Sequence, residues 1–314
     1  MSRHRRTPFA VLVRLLTVLA LSLAGCSALG VADPNSSLDF SLREPIPEVG
    51  SIEPQPLRIA VAAVLSPEGT IESYAELAKY LGEQLGRPAQ LVQRRTYAEV
   101  NALIAANEVD IAFVCTSAYV VGHDQSIMDL LVIPVIGGET VYRSTLIVPA
   151  SSSARSLEDL RGASFAFTDP MSHTGRVYPT YVLLQFGESP EDFFSKTIFT
   201  YSHDRAIEAV AARVVDGAAV DDLVLSYMLR RNPDLATRIR VLESSPDFGI
   251  PPVVVPSGTP AAVRTVFEEL LMGLDDHPAG RRILVDLGVD RFVRGTDEAY
   301  DGVRMMAKET GLGS

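Results

Sequence analysis

From Leu57 onward, short apolar runs alternate with stretches whose apolar residues recur at helical spacing. This alternation constrains the fold of the 314-residue chain more than any other feature. Residues 57–65 read as a buried strand. Ile71, Tyr74, Leu77, Ala78, Leu81 and Leu85 then fall on one helical face, closed by Gly86. Residues 90–93 form the next strand. Thr96 and Glu99 make a capping box ahead of Val100, Leu103 and Ile104, and residues 111–115 form a third strand. A βαβαβ order of this kind predicts parallel strands in one sheet with helices on its faces.

The pattern returns further on. Strands are predicted at 164–168, 196–201 and 218–220 and helices at 175–186 and 203–215, with Ser189-Pro190 as a further helix start. Between the two sets, residues 141–149 are apolar and long enough to cross from one α/β unit to the other. Residues 250–256, "IPPVVVP", could cross back before the helix that Thr259-Pro260 opens. Two crossings divide the chain into a discontinuous lobe I of residues 57–146 and 252–314 and a lobe II of residues 147–251. The same repetition is compatible with one six-stranded domain. With two lobes, the cleft between them is the favoured ligand site.

The first 25 residues read as a targeting segment. Arg3, Arg5 and Arg6 precede an apolar run from Phe9 to Leu23 that is short for a membrane span. Leu23-Ala24-Gly25-Cys26 follows and resembles the lipobox of bacterial lipoproteins, which implies cleavage before Cys26 and lipid on its thiol. An ordinary secretory signal with an incidental Cys is the alternative. Residues 26–56, interrupted by Pro34, Pro45, Pro47, Pro54 and Pro56, read as a flexible tether. The formal net charge is -11, and residues 1–25 hold four Arg and no acid, so the remainder carries -15. A domain this acidic is a poor partner for nucleic acid and does not cling to anionic lipid by itself. The lipid would be the anchor. Cys115 is the only other cysteine, so a lipidated Cys26 rules out an internal disulfide. Cys115 reads as a small core hydrophobe, with a cleft-lining thiol as the alternative.

In open α/β sheets, ligands sit beyond the carboxyl ends of strands, where helices begin. Those turns are residues 66–70, 116–119, 169–175 and 202–204, and most are rich in hydroxyls. A helix N-terminus offers unpaired N–H groups and about half a positive charge, so it holds an anion without Lys or Arg. In "TDPMSHTG", Ser172, Thr174 and the nearby amides suit an oxyanion cradle, with plain N-capping as the alternative for any one turn. No Gly-x-Gly-x-x-Gly, phosphate loop, Gly-x-Ser-x-Gly elbow or His-Glu-x-x-His helix is present, and the five His form no metal-ligand pattern. Neither cofactor nor metal is expected, and no catalytic residue is assigned. Hydrolysis by His203, Asp204 and Ser172 is the minor alternative.

The segments "YAELAKYLGEQLGRP", "VDIAFVCTSAYV", "SLEDLRGASFAFTDPMSHTG", "YSHDRAIEAV", "VDGAAVDDLVLSYM" and "LGVDRFVRGTDEAYDGVR" occur in this order. Together they resemble the phosphate/phosphite/phosphonate-binding family of ABC-transporter solute receptors, over roughly residues 57–308. The resemblance implies an α/β, two-lobed periplasmic-binding-protein fold (type II), with two parallel-sheet lobes joined by a two-crossing hinge. It implies a monomeric, lipid-anchored, extracytoplasmic receptor. Such a protein captures a small phosphorus oxyanion (phosphonate, phosphite or phosphate) for a permease and its ATPase; sensing for a signalling partner is the alternative. The family's Asp-Pro-x-Ser-x-Ser-Gly falls on Ser172, His173 and Thr174, where His173 replaces the usual Thr and Thr174 the second Ser. The family's His-Asp/Glu turn falls on His203, and an acid after its "Ala-Ala-Val" strand on Asp221. In lobe I, Ser66 and Tyr119 occupy turns that face the cleft in the family. Tyr97 is a weaker match, and Thr116 and Ser117 share the turn with Tyr119. A carboxylate at Asp221 repels an anion unless the ligand carries a donor or a proton, and capping of the next helix is the alternative role.

Overall fold

The structure, a computed structural model, describes residues 55–313. The signal segment, Cys26 and all but the last two residues of the tether lie outside the described residues. Chain order explains how two sheets arise. β1 (Leu57–Val61) is followed by α1 (Pro67–Leu85), β2 (Ala89–Gln93), α2 (Tyr97–Ala105), β3 (Ile111–Phe113), α3 (Thr116–Asp124) and β4 (Met128–Val135). A short β5 (Val141–Tyr142) leads to β6 (Ser144–Pro149), which opens the second sheet. There follow β7 (Ser164–Phe167), a π-helical turn (His173–Val177), α4 (Tyr178–Gln185), α5 (Pro190–Phe193), β8 (Lys196–Phe199) and α6 (His203–Ala211). β9 (Gly217–Asp221), α7 (Asp222–Arg231), α8 (Leu235–Arg238) and β10 (Ile239–Ser244) complete that lobe. β11 (Phe248–Gly249) pairs antiparallel with β5, so the two crossings are zipped together. β12 (Val253–Pro256), α9 (Ala261–Met272), α10 (Pro278–Leu287), β13 (Arg291–Val293) and α11 (Asp301–Glu309) then belong to the first lobe.

The sheet orders are β13-β4-β12-β3-β1-β2 and β10-β6-β9-β7-β8. Both are mixed, which corrects the expectation of purely parallel lobes. β1, β2 and β3 are parallel, as are β7, β8 and β9. The crossing strands are antiparallel to their neighbours, β12 to β3 and β4 and β6 to β9 and β10, and so is the edge strand β13 to β4. For the crossing strands the reason lies in the hinge. A strand that arrives through it enters at the cleft end, where its neighbours finish; Ser144 pairs with Asp221 and Val253 with Phe113. β6 lies wholly in the second sheet, so the crossing falls at residues 141–143, a little before the expected boundary at 146.

Local signals account for the helix starts. The Thr96 hydroxyl accepts the Glu99 amide at 3.2 Å while the Glu99 carboxylate accepts the Thr96 amide at 2.9 Å, the reciprocal pair of a capping box. Each sheet is covered on both faces. Leu57, Ile59, Leu77, Leu81, Phe267 and Leu271 fill one side of the first, and Ala60, Val100, Ile104, Val120 and Val303 the other. At about 1.5–3 kcal/mol per buried large aliphatic, these layers outweigh any single polar contact.

Four predicted strands, those of β1, β3, β7 and β8, run past their observed ends, and at the first two the cause is the cleft. β1 stops at Val61 and β3 at Phe113. The apolar residues beyond them serve the lobe-to-lobe seam instead: Val64 and Leu65 pack on the second-lobe cluster of Ile207, Val210 and Val224.

Candidate ligand site between the lobes

The carboxyl ends of both sheets face each other, and helix N-termini from both lobes converge there. Backbone and side-chain bonds bridge the cleft. The Tyr97 amide donates to Asp169 Oδ2 at 3.1 Å, and the Ser66 amide to the Asp204 carboxylate at 3.0 and 3.1 Å. The His203 amide donates to the Val64 carbonyl at 3.0 Å, and the Ser73 and Tyr227 hydroxyls lie 3.4 Å apart.

On the second lobe, Ser172 caps the π-helical turn, its Oγ accepting the Gly175 amide at 3.1 Å. Such turns concentrate at functional sites because they re-aim side chains. Gly175 is required by close approach: a Cβ there would lie 1.9 Å from Thr168 Oγ1. His203 Nδ1 accepts the Asp221 amide at 3.0 Å, so in the neutral ring the proton sits on Nε2, 3.4 Å from Ser172 Oγ. Ser172 therefore meets donors on two sides, and its own proton is left to give to an acceptor. Burial pushes His203 down to about 3, which keeps the ring neutral. Asp221 Oδ1 accepts the Leu223 and Val224 amides at 2.7 and 3.2 Å, capping α7. Asp221 is also one of the residues lining a cavity between the lobes. Burial, then the Asp222 charge, pushes Asp221 up to about 7.

His173 lies in the interior, its ring edge against Phe248 at 4.2 Å between centroids. Burial pushes it down to about 3. Neither of its ring nitrogens has a hydrogen-bond partner among the described residues, nor has Thr174 Oγ1. On the first lobe the same holds for the hydroxyls of Tyr97 and Ser117, and at the hinge for that of Tyr142. Buried polar groups without partners are rare, because each costs the desolvation of the group. Asn101 Oδ1 and the hydroxyls of Thr168, Thr180 and Ser202 are likewise buried without a partner among the described residues. The phenols of Tyr97 and Tyr142 are raised well above their ordinary values, foremost by burial and further by nearby groups that include the Cys115 thiol and the Asp221 carboxylate.

Three expected site residues are used otherwise. The Tyr119 phenol turns away from the cleft and donates to Asp297 Oδ1 at 2.8 Å, while its ring packs on Tyr300 at 4.7 Å. One helical turn past the N-terminus of α3, it faces the 3-10 turn Asp297–Tyr300 that precedes α11 rather than the second lobe. The Thr116 hydroxyl lies near Tyr142 but donates to the Gly249 carbonyl at 3.0 Å, tying α3 to the hinge. Ser66 caps α1 and holds Asp204 across the seam, with its Oγ accepting the Gly69 amide at 3.4 Å. Tyr97, Ser117, Ser172, His173, Thr174, His203 and Asp221 are brought together.

Sequence reasoning missed Tyr142; it had Asp169 within a candidate turn without singling it out, and a cleft-lining thiol as the alternative for Cys115. Tyr142 sits in a predicted crossing, where the polar tip on an apolar run was the available signal. Cys115 packs with Ala62, Tyr97 and Ala118 and with Met171 of the other lobe, so it is both buried and at the cleft. Burial pushes its thiol up to about 11, against the pull of the His173 and Ser117 amides.

Two mixed α/β sheets, paired crossing strands and helix N-termini turned into the cleft define a two-lobed binding protein of the periplasmic-binding-protein fold. The family of periplasmic substrate-binding proteins of phosphonate ABC transporters matches residues 59–300, and the chain belongs to it. It is 32% identical over 196 residues, 58% of this chain, to the phosphate-import protein PhnD of Mycolicibacterium smegmatis. The chain spans about 61% of the length of that relative. Among solved structures, a binding-protein component of an ABC phosphonate transporter from Pseudomonas aeruginosa superposes with a TM-score of 0.77 at 22% identity, over 82% of this chain and 87% of that one. PhnD1 from Prochlorococcus marinus, in complex with methylphosphonate, gives 0.75 at 17% identity over 82% and 99%. These likenesses establish the fold.

Proposed function

We propose that this protein captures a phosphorus oxyanion (phosphonate, phosphite or phosphate) between its lobes and delivers it to a membrane permease driven by an ATPase. The observation that carries the reading is the set of buried, unpartnered polar groups of Tyr97, Ser117, Tyr142, His173 and Thr174 in the cleft. None of them is a cation. An anion there would be held by hydroxyls and helix-terminal amides, with the Ser172 proton aimed by His203. Asp221, with its raised affinity for a proton, would donate to a ligand oxygen and so favour an oxyanion that keeps a proton or donor over sulfate. Family membership supports the role in transport, and the Mycolicibacterium relative is named for phosphate import. We further infer anchoring to the outer face of the membrane by lipid on Cys26, and action as a monomer.

The test is the melting temperature of the full-length chain in detergent against phosphate, phosphite, methylphosphonate, 2-aminoethylphosphonate and sulfate. A ligand at about 1,000 times its dissociation constant stabilises the native state by about 4 kcal/mol, a shift of several degrees. A shift with a phosphorus anion and none with sulfate is expected. No shift across the panel would sink the assignment.

A further inference from the structure

We propose that the cavity between α1 and α7 is a second binding site, which takes a small organic acid: a carboxylate on an apolar body the size of a phenyl ring. It is separate from the oxyanion cluster and does not depend on the phosphorus reading. Two helix faces from opposite lobes wall it. Residues three and four apart share a face of a helix, which sets Thr70 beside Ser73 and Tyr74 on α1, and Ser226 and Tyr227 beside Arg230 on α7. The Ser73 and Tyr227 hydroxyls, 3.4 Å apart, join the two faces. Leu65, Phe113, Pro252, Leu223 and Phe292 supply apolar lining.

The charge of the cavity favours an anion. Arg230 is the one cation among the described residues that line it, and Asp221 the one acid. Tyr74, Ser226 and Arg230 make no hydrogen bond or ion pair with any described residue. Burial, then the Asp222 charge, pushes Asp221 up to about 7, so near neutral pH it does not fully balance the guanidinium. Arg230 Nη2 lies 3.2 Å from where a Cβ would stand on Gly288, the first-lobe residue that closes α10, so the cation is held at the seam. An anion on Arg230 is not the one that the cluster holds. Asp221 caps the N-terminus of α7 and Arg230 stands in its last turn, about 13 Å further along the axis and beyond the span of one small oxyanion. Ser226 and Arg230 are exposed and Asp221 is buried, so the cavity opens to solvent at the Arg230 end. An acid that enters body first leaves its carboxylate on the guanidinium. The volume is about 290 Å³, and about 150 Å³ is enough to hold benzene, so a ring and its carboxylate fit.

Calorimetric titration of the full-length chain with benzoate, acetate and benzylamine tests this. Benzoate should bind at least tenfold tighter than acetate, because it buries a ring where acetate buries a methyl group. Benzylamine, a similar body with the opposite charge, should not bind. Arg230→Gln, checked for folding by its ligand-free melting temperature, should weaken benzoate tenfold or more through loss of a charge-assisted bond. The same variant should bind phosphate within twofold of the wild type. No benzoate binding, equal binding of acetate or benzylamine, or full benzoate binding by Arg230→Gln each overturns the second site. Displacement of benzoate by phosphate, or loss of phosphate binding in Arg230→Gln, also overturns it, because the two sites would then be one. If benzoate binds as expected and phosphate does not bind at all, this site stands and the phosphorus reading alone is weakened.

Discussion

Asp221 combines two demands that the same carboxylate meets at different pH. Its folded-state pKa of about 7 lies above the unfolded value of about 3.9, so its contribution to stability is fully present below pH ~4. It is lost as pH rises through 7. Asn keeps an oxygen for the helix cap and cannot ionise. Asp221→Asn should therefore gain melting temperature relative to the wild type from pH 4 to 7, with the gap level above that. A gap independent of pH would remove the buried ionisation from the account. His173 has the opposite sign. Its pKa falls to about 3 from an ordinary 6.5, so its contribution is present above 6.5 and lost as pH falls towards 3. Phe preserves much of the ring's packing on Phe248 and removes the titration. His173→Phe should outlast the wild type increasingly as pH drops below 6.5, read from paired thermal melts.

Among the elements, the π-helical turn depends on a single glycine. Gly175 lies against Thr168 so closely that a methyl group would have to displace the turn, and with it Ser172 and Thr174. Overpacking of this kind costs about 1–3 kcal/mol. Gly175→Ala should lower denaturant stability by that amount and weaken oxyanion binding tenfold or more. The capping box of α2 is a milder case. Thr96→Ala removes the acceptor for the Glu99 amide and should cost about 1 kcal/mol in urea melts. A larger binding defect from Thr96→Ala than from Gly175→Ala would mean that the first lobe, not the turn, holds the head group.

For the whole molecule, closure is written in the bonds across the seam. The Asp204 carboxylate takes the Ser66 amide from the other lobe. Asp204→Ala should shift the population towards the open form, raising the ligand-free radius of gyration in X-ray scattering and speeding ligand release by about tenfold. Unchanged scattering and unchanged release would assign the contact to local loop structure. The same scale explains why strands predicted to Leu65 and Cys115 end earlier. Apolar residues at a cleft edge look like strand interior in one dimension, yet they are buried by a lobe that arrives from elsewhere in the chain.

What the sequence determined by itself is local in origin. Alternating apolar periods, the Thr96–Glu99 box and the Ser172 cap follow from interactions within a few residues, so the α/β class, most helix starts and the hydroxyl-rich turns were legible. The family motif carried Ser172, His173, Thr174, His203 and Asp221 to one cleft. Only the tertiary structure decided the rest. It turned Tyr119 to Asp297, spent Thr116 on Gly249, brought Tyr142 and Cys115 to the site, and set β6 and β12 antiparallel. Each of these depends on partners distant in sequence, across a hinge whose direction of entry no local pattern encodes.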